Sequence, residues 1–235
     1  GSNPSPATNQ MNKNTYSLNQ NKFFDQVVQK KRMEMVSIVN DFLDNEKIES
    51  ILDIGTTNDM ENESSNLLIK KIKKKAIFKS ISDQKIESSF FKNTLLKSIT
   101  SSFSPSEINE FSSDLVISNA TIEHVGNFVN QKQMLKNIIQ LSKKKFIIIT
   151  PNRYHPLELH TLIPFIHWLP KPIHRKLLKL FNLDFYAQEK NLNLLSKKDL
   201  KKLLEDELVS YEIKSINFLF FPSNFLLIGE KKTKF

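Results

Sequence analysis

Ser50-Ile-Leu-Asp-Ile-Gly55 is a short apolar run that ends at a glycine. Such a run is typical of a buried parallel strand that leads into a turn. Comparable segments recur along the chain, and they predict strands at residues 76–82, 95–99, 114–119 and 145–150. Helical periodicity predicts one or two helices over residues 23–43 and further helices at 63–74 and 133–141. Strands that alternate with helices predict a parallel sheet that is covered on both faces.

The pattern changes after Thr150, where residues 151–184 are rich in proline, histidine and large apolar side chains. Ser196, with Asp199 three positions later, predicts the start of a helix that reaches Glu207. Two strand-like segments follow, at residues 211–217 and 224–229, and so short a connection predicts antiparallel neighbours. We therefore predict an α/β fold with five parallel strands, an insertion and a C-terminal antiparallel hairpin.

Composition narrows the classes of function. The chain of 235 residues has a net charge of +9, but nearly all of its cations are lysines, since only Arg32, Arg153 and Arg175 are arginines. A surface that binds nucleic acid is usually richer in arginine, whose planar guanidinium suits phosphate, so a nucleic-acid partner is not expected. Because the chain has no cysteine, a disulfide framework, a thiolate metal site and a cysteine nucleophile are all excluded.

The order of segments also predicts how the chain is organised. Residues 1–22 are expected to be a loosely ordered leader in which Gly1 and Ser2 look like a cloning remnant. Residues 23–235 are expected to be one domain with an N-terminal helical extension and an insertion at about residues 151–195. No signal sequence or membrane span is expected, because residues 1–10 lack an apolar core and a span needs about 20 apolar residues. We expect a cytoplasmic protein.

Two acidic positions mark candidate ligand contacts at the carboxyl edge of the sheet. Asp53, Gly55, Thr56 and Thr57 follow the first strand, where a glycine lets the main chain approach a ligand closely. Asp83 ends the second strand, where a carboxylate accepts ribose hydroxyls in nucleotide-binding sheets. An ordinary turn and a solvated loop aspartate are the alternatives.

Residues 114–125, Asp-Leu-Val-Ile-Ser-Asn-Ala-Thr-Ile-Glu-His-Val, carry a recognisable motif. They resemble the fourth-strand motif of class I S-adenosylmethionine-dependent methyltransferases of the type-11 group. In that family the segment lines the cofactor cleft and faces the substrate. The resemblance implies that Asn119, Glu123 and His124 border the site of methyl transfer.

A second likeness is more specific. Thr150-Pro-Asn-Arg153, followed by His160-Thr161 and by His167-Trp-Leu-Pro170, is similar to a signature of one subfamily of these enzymes. The resemblance covers roughly residues 50–230. It implies a Rossmann-like seven-stranded sheet, S-adenosylmethionine as cofactor and methyl transfer as the activity. Two positions depart from the family: Thr57 replaces a second glycine, and residues 99–101 lack the acidic residue that many relatives place near adenine.

The resemblance and the residue types together give the expected site. The expected cofactor-binding residues are Asp53, Gly55, Thr56, Thr57, Asp83, Ser118, Asn119 and Glu123. The expected catalytic residues are His124, His155 and Asn119, with one of the two histidines as the base for a hydroxyl or amine acceptor. The expected acceptor-binding residues are Arg153, Glu158, His160, His167 and Trp168. The alternative is a packed lid in which these histidines satisfy buried backbone groups.

Three further interpretations stay open. His124, His155, Glu158 and His160 are of types that bind zinc or iron, but Pro156 breaks their helical phase and no metal is expected. Residues 159–180 are apolar and basic, as in a lid helix or in a peripheral contact with an anionic membrane.

The expected function is methyl transfer to a small-molecule or glycan/lipid-linked acceptor. The alternatives are a catalytically degenerate binding or scaffold protein and an RNA methyltransferase, the latter supported only by the charge.

Overall fold

The computed structural model describes residues 22–218 and 220–231, so the predicted leader at residues 1–22 lies outside the described residues except for Lys22. One sheet runs through the fold. Its strands are β1 Ser50–Ile54, β2 Ile77–Ser82, β3 Asn93–Leu96, β4 Ser113–Asn119, β5 Ser142–Pro151, β6 Val209–Phe218 and β7 Phe221–Lys231. They lie in the order β3-β2-β1-β4-β5-β7-β6. Strands β1 to β5 pair in parallel, and β7 is antiparallel to both β5 and β6. The predicted fold class is confirmed.

Helices cover the sheet and follow its strands. They are α1 Lys22–Leu43, α2 Leu67–Lys70, α3 Pro105–Phe111, α4 Phe128–Leu141, α5 Lys171–Leu180, α6 Asp184–Ala187 and α7 Lys197–Leu204. Short 3-10 helices lie at Ile122–His124 and Ile166–Trp168. Ser196 and Asp199 form the predicted capping box at the start of α7. Among the described residues, no helix is long and apolar enough to cross a membrane.

Several elements differ from the prediction, most clearly three that lie between β1 and β4. The predicted helix at residues 63–74 is only α2, because Asn66 has a left-handed backbone and its side chain instead binds the backbone of Thr57. Strand β3 begins and ends earlier than predicted. Helix α3 was not predicted, although Ser104-Pro-Ser-Glu107 is a capping box with proline in the first turn, which is a helix-start signal.

Two apolar clusters fill the two faces of the sheet, and successive residues of one strand enter opposite clusters. Leu52 and Val116 lie in the first cluster with Leu135 of α4 and Leu200 of α7. Ile51, Leu115 and Ile147 lie in the second, with Val39 of α1 and Leu68 of α2. A strand buried on both faces needs apolar residues at every position, which is why these strands are continuous apolar runs.

The insertion is fastened at both ends beside β5. The Asn152 amide donates to the carbonyl of Ser223 at 2.7 Å, and the Arg153 amide donates to the carbonyl of Leu195 at 2.9 Å. Residues 152 and 195 form a parallel bridge. The segment between them therefore begins and ends at the carboxyl edge of the parallel strands, next to the turns that follow β1 and β4.

Candidate functional site

An open cleft of about 210 Å³ lies at the carboxyl ends of β1 and β2. It is lined by Gly55, Asp83, Ser98, Ile99, Thr121 and His124, among others. The edge is the one where open α/β sheets bind ligands. The cleft is therefore the first candidate for a cofactor site.

Gly55 brings the main chain to the wall of this cleft. Its φ is +86°, a conformation that favours glycine, and a Cβ at this position would lie 2.2 Å from Thr121 Oγ1. The Gly55 amide donates to the carbonyl of Ile81 at 2.9 Å, and Thr121 Oγ1 donates to the carbonyl of Ile54 at 3.2 Å. These contacts hold the turn after β1 in a form that only glycine fits.

Asp53 and Thr56 support this turn from inside the fold. Thr56 Oγ1 donates to Asp53 Oδ2 at 2.5 Å, and Ser80 Oγ donates to Thr56 Oγ1 at 2.7 Å. Ser82 Oγ donates to the carbonyl of Thr56 at 2.6 Å. Burial raises the pKa of Asp53 to about 6, against the hydrogen bond from Thr56, which lowers it. Both residues are buried and neither is among the residues that line the cleft. They support the turn from inside the fold, and their contact with a cofactor stays a prediction.

The other predicted cofactor residues divide in the same way. Asp83 is exposed at the end of β2 and lines the cleft. Thr57 is exposed beside the cleft, and its amide donates to Asn66 Oδ1 at 2.9 Å. Asn119 is exposed at the end of β4, whereas Ser118 is buried with no hydrogen-bond partner for Oγ among the described residues. Ser118, Asn119, Glu123 and Thr57 are not among the residues that line the cleft.

The fold brings two histidines and two glutamates together beside the cleft: Glu123, His124, Glu158 and His160, which we call the His–Glu cluster. His124 Nδ1 donates to the carbonyl of Asn191 at 2.6 Å, and His124 Nε2 lies 3.9 Å from Glu123 Oε1. His160 Nδ1 lies 2.6 Å from Glu158 Oε1, and the two imidazole rings meet edge to face at 5.0 Å. Glu123 was a predicted cofactor contact and His124 a predicted catalytic residue. Glu158 and His160 were predicted acceptor contacts.

Burial and charge set the protonation of the cluster. Burial acts to raise the pKa of Glu158, but the charge and hydrogen bonds of His160 outweigh it and hold that pKa at about 2. Burial acts to lower the pKa of His160, and the Glu158 carboxylate overcomes this and keeps it above the ordinary value. Burial lowers the pKa of His124 against the opposing charge of Glu123. The pKa values of the two histidines are therefore shifted in opposite directions, although their rings meet edge to face.

His155 is placed differently from its predicted role as a base. It is buried, its Nδ1 lies 2.8 Å from the carbonyl of Leu157, and its Nε2 lies 3.2 Å from the carbonyl of Phe218. His167 Nε2 and Trp168 Nε1 both bind the carbonyl of His155. Since both of its ring nitrogens lie within hydrogen-bond distance of backbone carbonyls, His155 is packed inside the insertion, and its role as a base stays a prediction.

A second, narrow pocket lies inside the insertion, lined by Arg153, His167, Lys171, His174 and Arg175, with Tyr186 and residues 192–194; we call it the basic pocket. Nη2 and Nε of Arg153 donate to the carbonyls of Leu169 at 2.9 Å and His167 at 3.3 Å. Lys171 donates to Asn193 at 2.5 Å, and Arg175 pairs with Glu189 at 2.8 Å. Arg153 and His167 were predicted acceptor contacts, whereas Lys171, His174 and Arg175 were not assigned to the site.

Half-buried cations and buried imidazoles line this pocket. His167 Nδ1 and His174 Nε2 are buried and have no hydrogen-bond partner among the described residues. Burial, followed by the neighbouring His167, lowers the pKa of His174 to about 4. Burial and the charge of Arg153 lower the pKa of Lys171. Burial disfavours charge of either sign in this pocket, whereas the neighbouring cations disfavour only a further positive group and attract an anion.

The cleft, the cluster and the basic pocket adjoin one another. The backbone N–H of Asn193 donates to the backbone carbonyl of Glu123 at 2.7 Å, and Asn193 also lines the basic pocket. Tyr186 also lines that pocket, and its ring lies 6.1 Å from the ring of His160. His124 belongs to the cluster and lines the cleft. The basic pocket, which has a volume of about 20 Å³, and the cleft therefore both adjoin the cluster.

No protein-family model matches the chain, and no curated protein matches it in sequence. Solved structures match it in fold. Magnesium protoporphyrin IX methyltransferase (ChlM) from Synechocystis PCC 6803 with bound SAH is 13% identical, with 97% of this chain and 96% of that chain covered and a TM-score of 0.57. The N-methyltransferase NodS from Bradyrhizobium japonicum WM9 in complex with S-adenosyl-L-homocysteine is 9% identical, with 97% and 99% covered and a TM-score of 0.57.

The methyltransferase domain of bacterial CtHen1 also matches. It is 14% identical, with 85% of this chain and 99% of that chain covered and a TM-score of 0.52. At such low identity the likeness concerns the backbone alone, and function must be argued from the residues of the site. The chain has the Rossmann-like fold of class I methyltransferases.

Proposed function

We propose that the protein transfers a methyl group from S-adenosylmethionine to a small-molecule or glycan/lipid-linked acceptor that carries an anionic group. One observation carries this proposal: the glycine-walled cleft at the ends of β1 and β2 opens at His124 onto the His–Glu cluster. The candidate cofactor site therefore adjoins side chains that can accept a proton. Methyl transfer to a hydroxyl or an amine requires both.

The residues of the cleft fit the cofactor. The missing side chain of Gly55 leaves room that a Cβ would fill, and the Asp83 carboxylate stands at the end of β2, where ribose hydroxyls are bound in nucleotide-binding sheets. Thr57 stands where relatives have a second glycine, but its backbone is turned to Asn66 and it does not line the cleft. The exchange of glycine for threonine therefore leaves the cleft open.

The bound cofactor supplies a methyl group on a positively charged sulfur. In the transfer the bond from sulfur to methyl breaks, a bond from methyl to the acceptor oxygen or nitrogen forms, and the acceptor loses a proton. The chain must hold the acceptor in line with the methyl group, exclude water and lower the cost of that proton loss. The His–Glu cluster contains titratable side chains next to the cleft, and we assign it the last of these tasks.

The basic pocket supports an anionic acceptor. Arg153, Lys171 and Arg175 surround it, and two buried imidazole nitrogens face it without a partner among the described residues. A phosphate or carboxylate would accept hydrogen bonds from these cations at little cost, since they are already held in place. The acceptor group that receives the methyl would then extend past Tyr186 toward the His–Glu cluster.

Calorimetric titration with S-adenosylmethionine and with S-adenosylhomocysteine tests the cofactor site. We expect micromolar binding that is lost in Asp83→Ala and Gly55→Val. Asp41→Ala is the control, because Asp41 is an exposed aspartate on α1 that does not line the cleft. No binding at millimolar cofactor would overturn the proposal and favour the binding or scaffold alternative.

The proposal that the acceptor is anionic is tested by measuring the transfer of a labelled methyl group to acceptors that differ only in charge. Acceptors with and without a phosphate or carboxylate should differ in KM, and Lys171→Gln should raise the KM of the charged acceptor about tenfold, the equivalent of about 1.4 kcal/mol. Lys197→Gln on the exposed start of α7 is the control. Equal KM values for charged and uncharged acceptors would contradict an anionic acceptor.

A peripheral membrane contact is a second proposal, supported by the surface of the insertion. Trp168, Leu169, Ile173, Leu180 and Phe181 are exposed there, close in sequence to basic residues of α5. Apolar side chains next to lysines suit an anionic bilayer surface and would bring a lipid-linked acceptor within reach. We expect sedimentation with vesicles that contain anionic lipid, weakened in Leu180→Asp. Equal sedimentation of the variant would contradict this contact.

A further inference from the structure

The His–Glu cluster has the composition of a metal site. Glu123, His124 and His160 each offer one ligand atom, and these atoms all lie within 4.8 Å of one another. Zinc ligands at ordinary bond lengths of about 2.1 Å are roughly 3.4 Å apart, so only small side-chain movements separate this arrangement from a closed site. Two imidazoles and one carboxylate are a ligand set that proteins use for zinc and iron.

The remaining polar atoms of these side chains are already engaged. Thr150 Oγ1 donates to Glu123 Oε2 at 2.9 Å, which leaves Oε1 free for another partner. The Nδ1 atom of His124 binds the carbonyl of Asn191, and that of His160 binds the Glu158 carboxylate, both at 2.6 Å. Each histidine is therefore oriented through Nδ1 and presents Nε2.

Metal-binding histidines in proteins are held in the same manner. Their second nitrogen donates to a carboxylate or to a backbone carbonyl, which fixes the ring and its tautomer. Glu158 is itself well supported, since it accepts the amides of His160 at 2.9 Å and Thr161 at 2.7 Å.

Glu123 supplies an independent electrostatic argument. It is fully buried, and its Oε1 has no hydrogen-bond partner among the described residues. A buried carboxylate oxygen that faces the Nε2 atom of His124 is unfavourable unless a positive group lies between them. A cation shared by Oε1 and the two Nε2 atoms would satisfy all three.

We propose that Glu123, His124 and His160 bind one divalent transition-metal ion of the zinc class, with Glu158 as the residue that positions His160. Three protein ligands leave a coordination position open, as in catalytic zinc sites. Because His124 also lines the cleft, that position lies on the side of the cleft. Binding of the metal does not depend on the proposed function; its use, to bind an acceptor hydroxyl and ease loss of its proton, rests on that function.

Metal titration of the full chain tests the proposal. The chain is treated with a chelator, dialysed and titrated with Zn²⁺ by calorimetry, and separately with Co²⁺, whose visible absorption reports nitrogen and oxygen ligands. We expect one equivalent of either ion. His160→Ala and His124→Ala should lose it, and Glu158→Gln should weaken it about 10- to 100-fold, the usual effect of removing a group that orients a ligand.

His174→Asn is the matched control. All five histidines lie between residues 124 and 174, and His174 lines the basic pocket and not the cluster, so its loss should leave metal affinity unchanged. Circular dichroism and thermal unfolding of each variant separate loss of a ligand from loss of the fold. Failure of the folded, chelator-treated chain to bind either ion, or binding that survives His160→Ala, would overturn the proposal.

The two proposals fail separately. Cofactor binding is measured on the metal-free chain, and metal binding is measured without cofactor. A chain that binds Zn²⁺ at the cluster but no S-adenosylmethionine would retain the metal site and lose the proposed methyl transfer. A chain that binds cofactor but no metal would leave methyl transfer intact, with a shared proton in the cluster in place of the ion.

Discussion

At the scale of single residues, the site depends on a glycine and on a buried histidine as much as on the side chains that face the cleft. Gly55 is required because its backbone is left-handed and because Thr121 occupies the space of a Cβ. His174 is required to stay neutral because it is buried among cations. Neither constraint involves a ligand, so both can be tested on the protein alone.

Gly55→Ala should lower the free energy of unfolding by about 2 kcal/mol or more, since it adds left-handed strain of roughly 1–2 kcal/mol to an overlap with Thr121. Urea unfolding measures the change. In the double variant Gly55→Ala/Thr121→Ala, the cost of the overlap should disappear while the backbone strain stays. Unaltered stability of the single variant would contradict the described turn.

His174 should make the stability of the protein depend on pH. Its folded pKa, about 4, lies below its ordinary value of 6.5, so its contribution is present above pH 6.5 and is lost as the pH falls toward 4. Between pH 7 and pH 4, the wild type should lose about 3 kcal/mol more than His174→Gln. Urea unfolding of both proteins at several pH values in phosphate-free buffer checks this, and parallel curves would refute it.

At the scale of elements, strand β5 holds the site because it is fixed on both sides. It pairs in parallel with β4 and antiparallel with β7, and the insertion leaves from its carboxyl end. Gly229 on β7 makes room for the Phe146 ring of β5, since a Cβ there would lie 2.1 Å from Phe146 Cζ. Close packing of these two strands therefore sets where Thr150 and Arg153 stand.

Gly229→Ala should destabilise the protein by about 1–3 kcal/mol, the usual cost of overfilling a packed core. Phe146→Leu removes the ring that the methyl group added by Gly229→Ala would meet. Phe146→Leu should therefore lower the free energy of unfolding less in the Gly229→Ala variant than in the wild type. Denaturant unfolding of the four proteins gives this coupling. Strictly additive effects would show that the ring does not contact position 229.

At the scale of the whole molecule, a ligand in the cleft would join β1, β2 and the segment from Thr121 to Val125. Ligands that bind only the folded state stabilise it by mass action. S-adenosylhomocysteine at 100 times its Kd should add about 2.7 kcal/mol and raise the Tm by roughly 5–10 °C. Thermal scans measure the shift, which should vanish in Asp83→Ala; a shift of equal size in that variant would show that the ligand binds elsewhere.

Much of the fold follows from local pattern. Alternation of apolar strands with helices permits few topologies, because crossovers are right-handed and parallel strands need covering layers. The short link between β6 and β7 requires an antiparallel pair. The helix-start signal of α3, a capping box between Ser104 and Glu107, is also present in the sequence, although α3 was not predicted from it. Local rules failed at α2, where the side chain of Asn66 binds the loop at Thr57.

The sequence by itself determined the sheet, the edge at which its strands end and the kinds of residue that gather there. Only the tertiary structure decided that His160 and Glu158 meet Glu123 and His124, while His155 turns to backbone carbonyls. A strand or a helix fixes the direction of each side chain by its period, but residues 152–165 of the insertion form neither. Its side chains point where packing against β5 and residues 191–195 directs them.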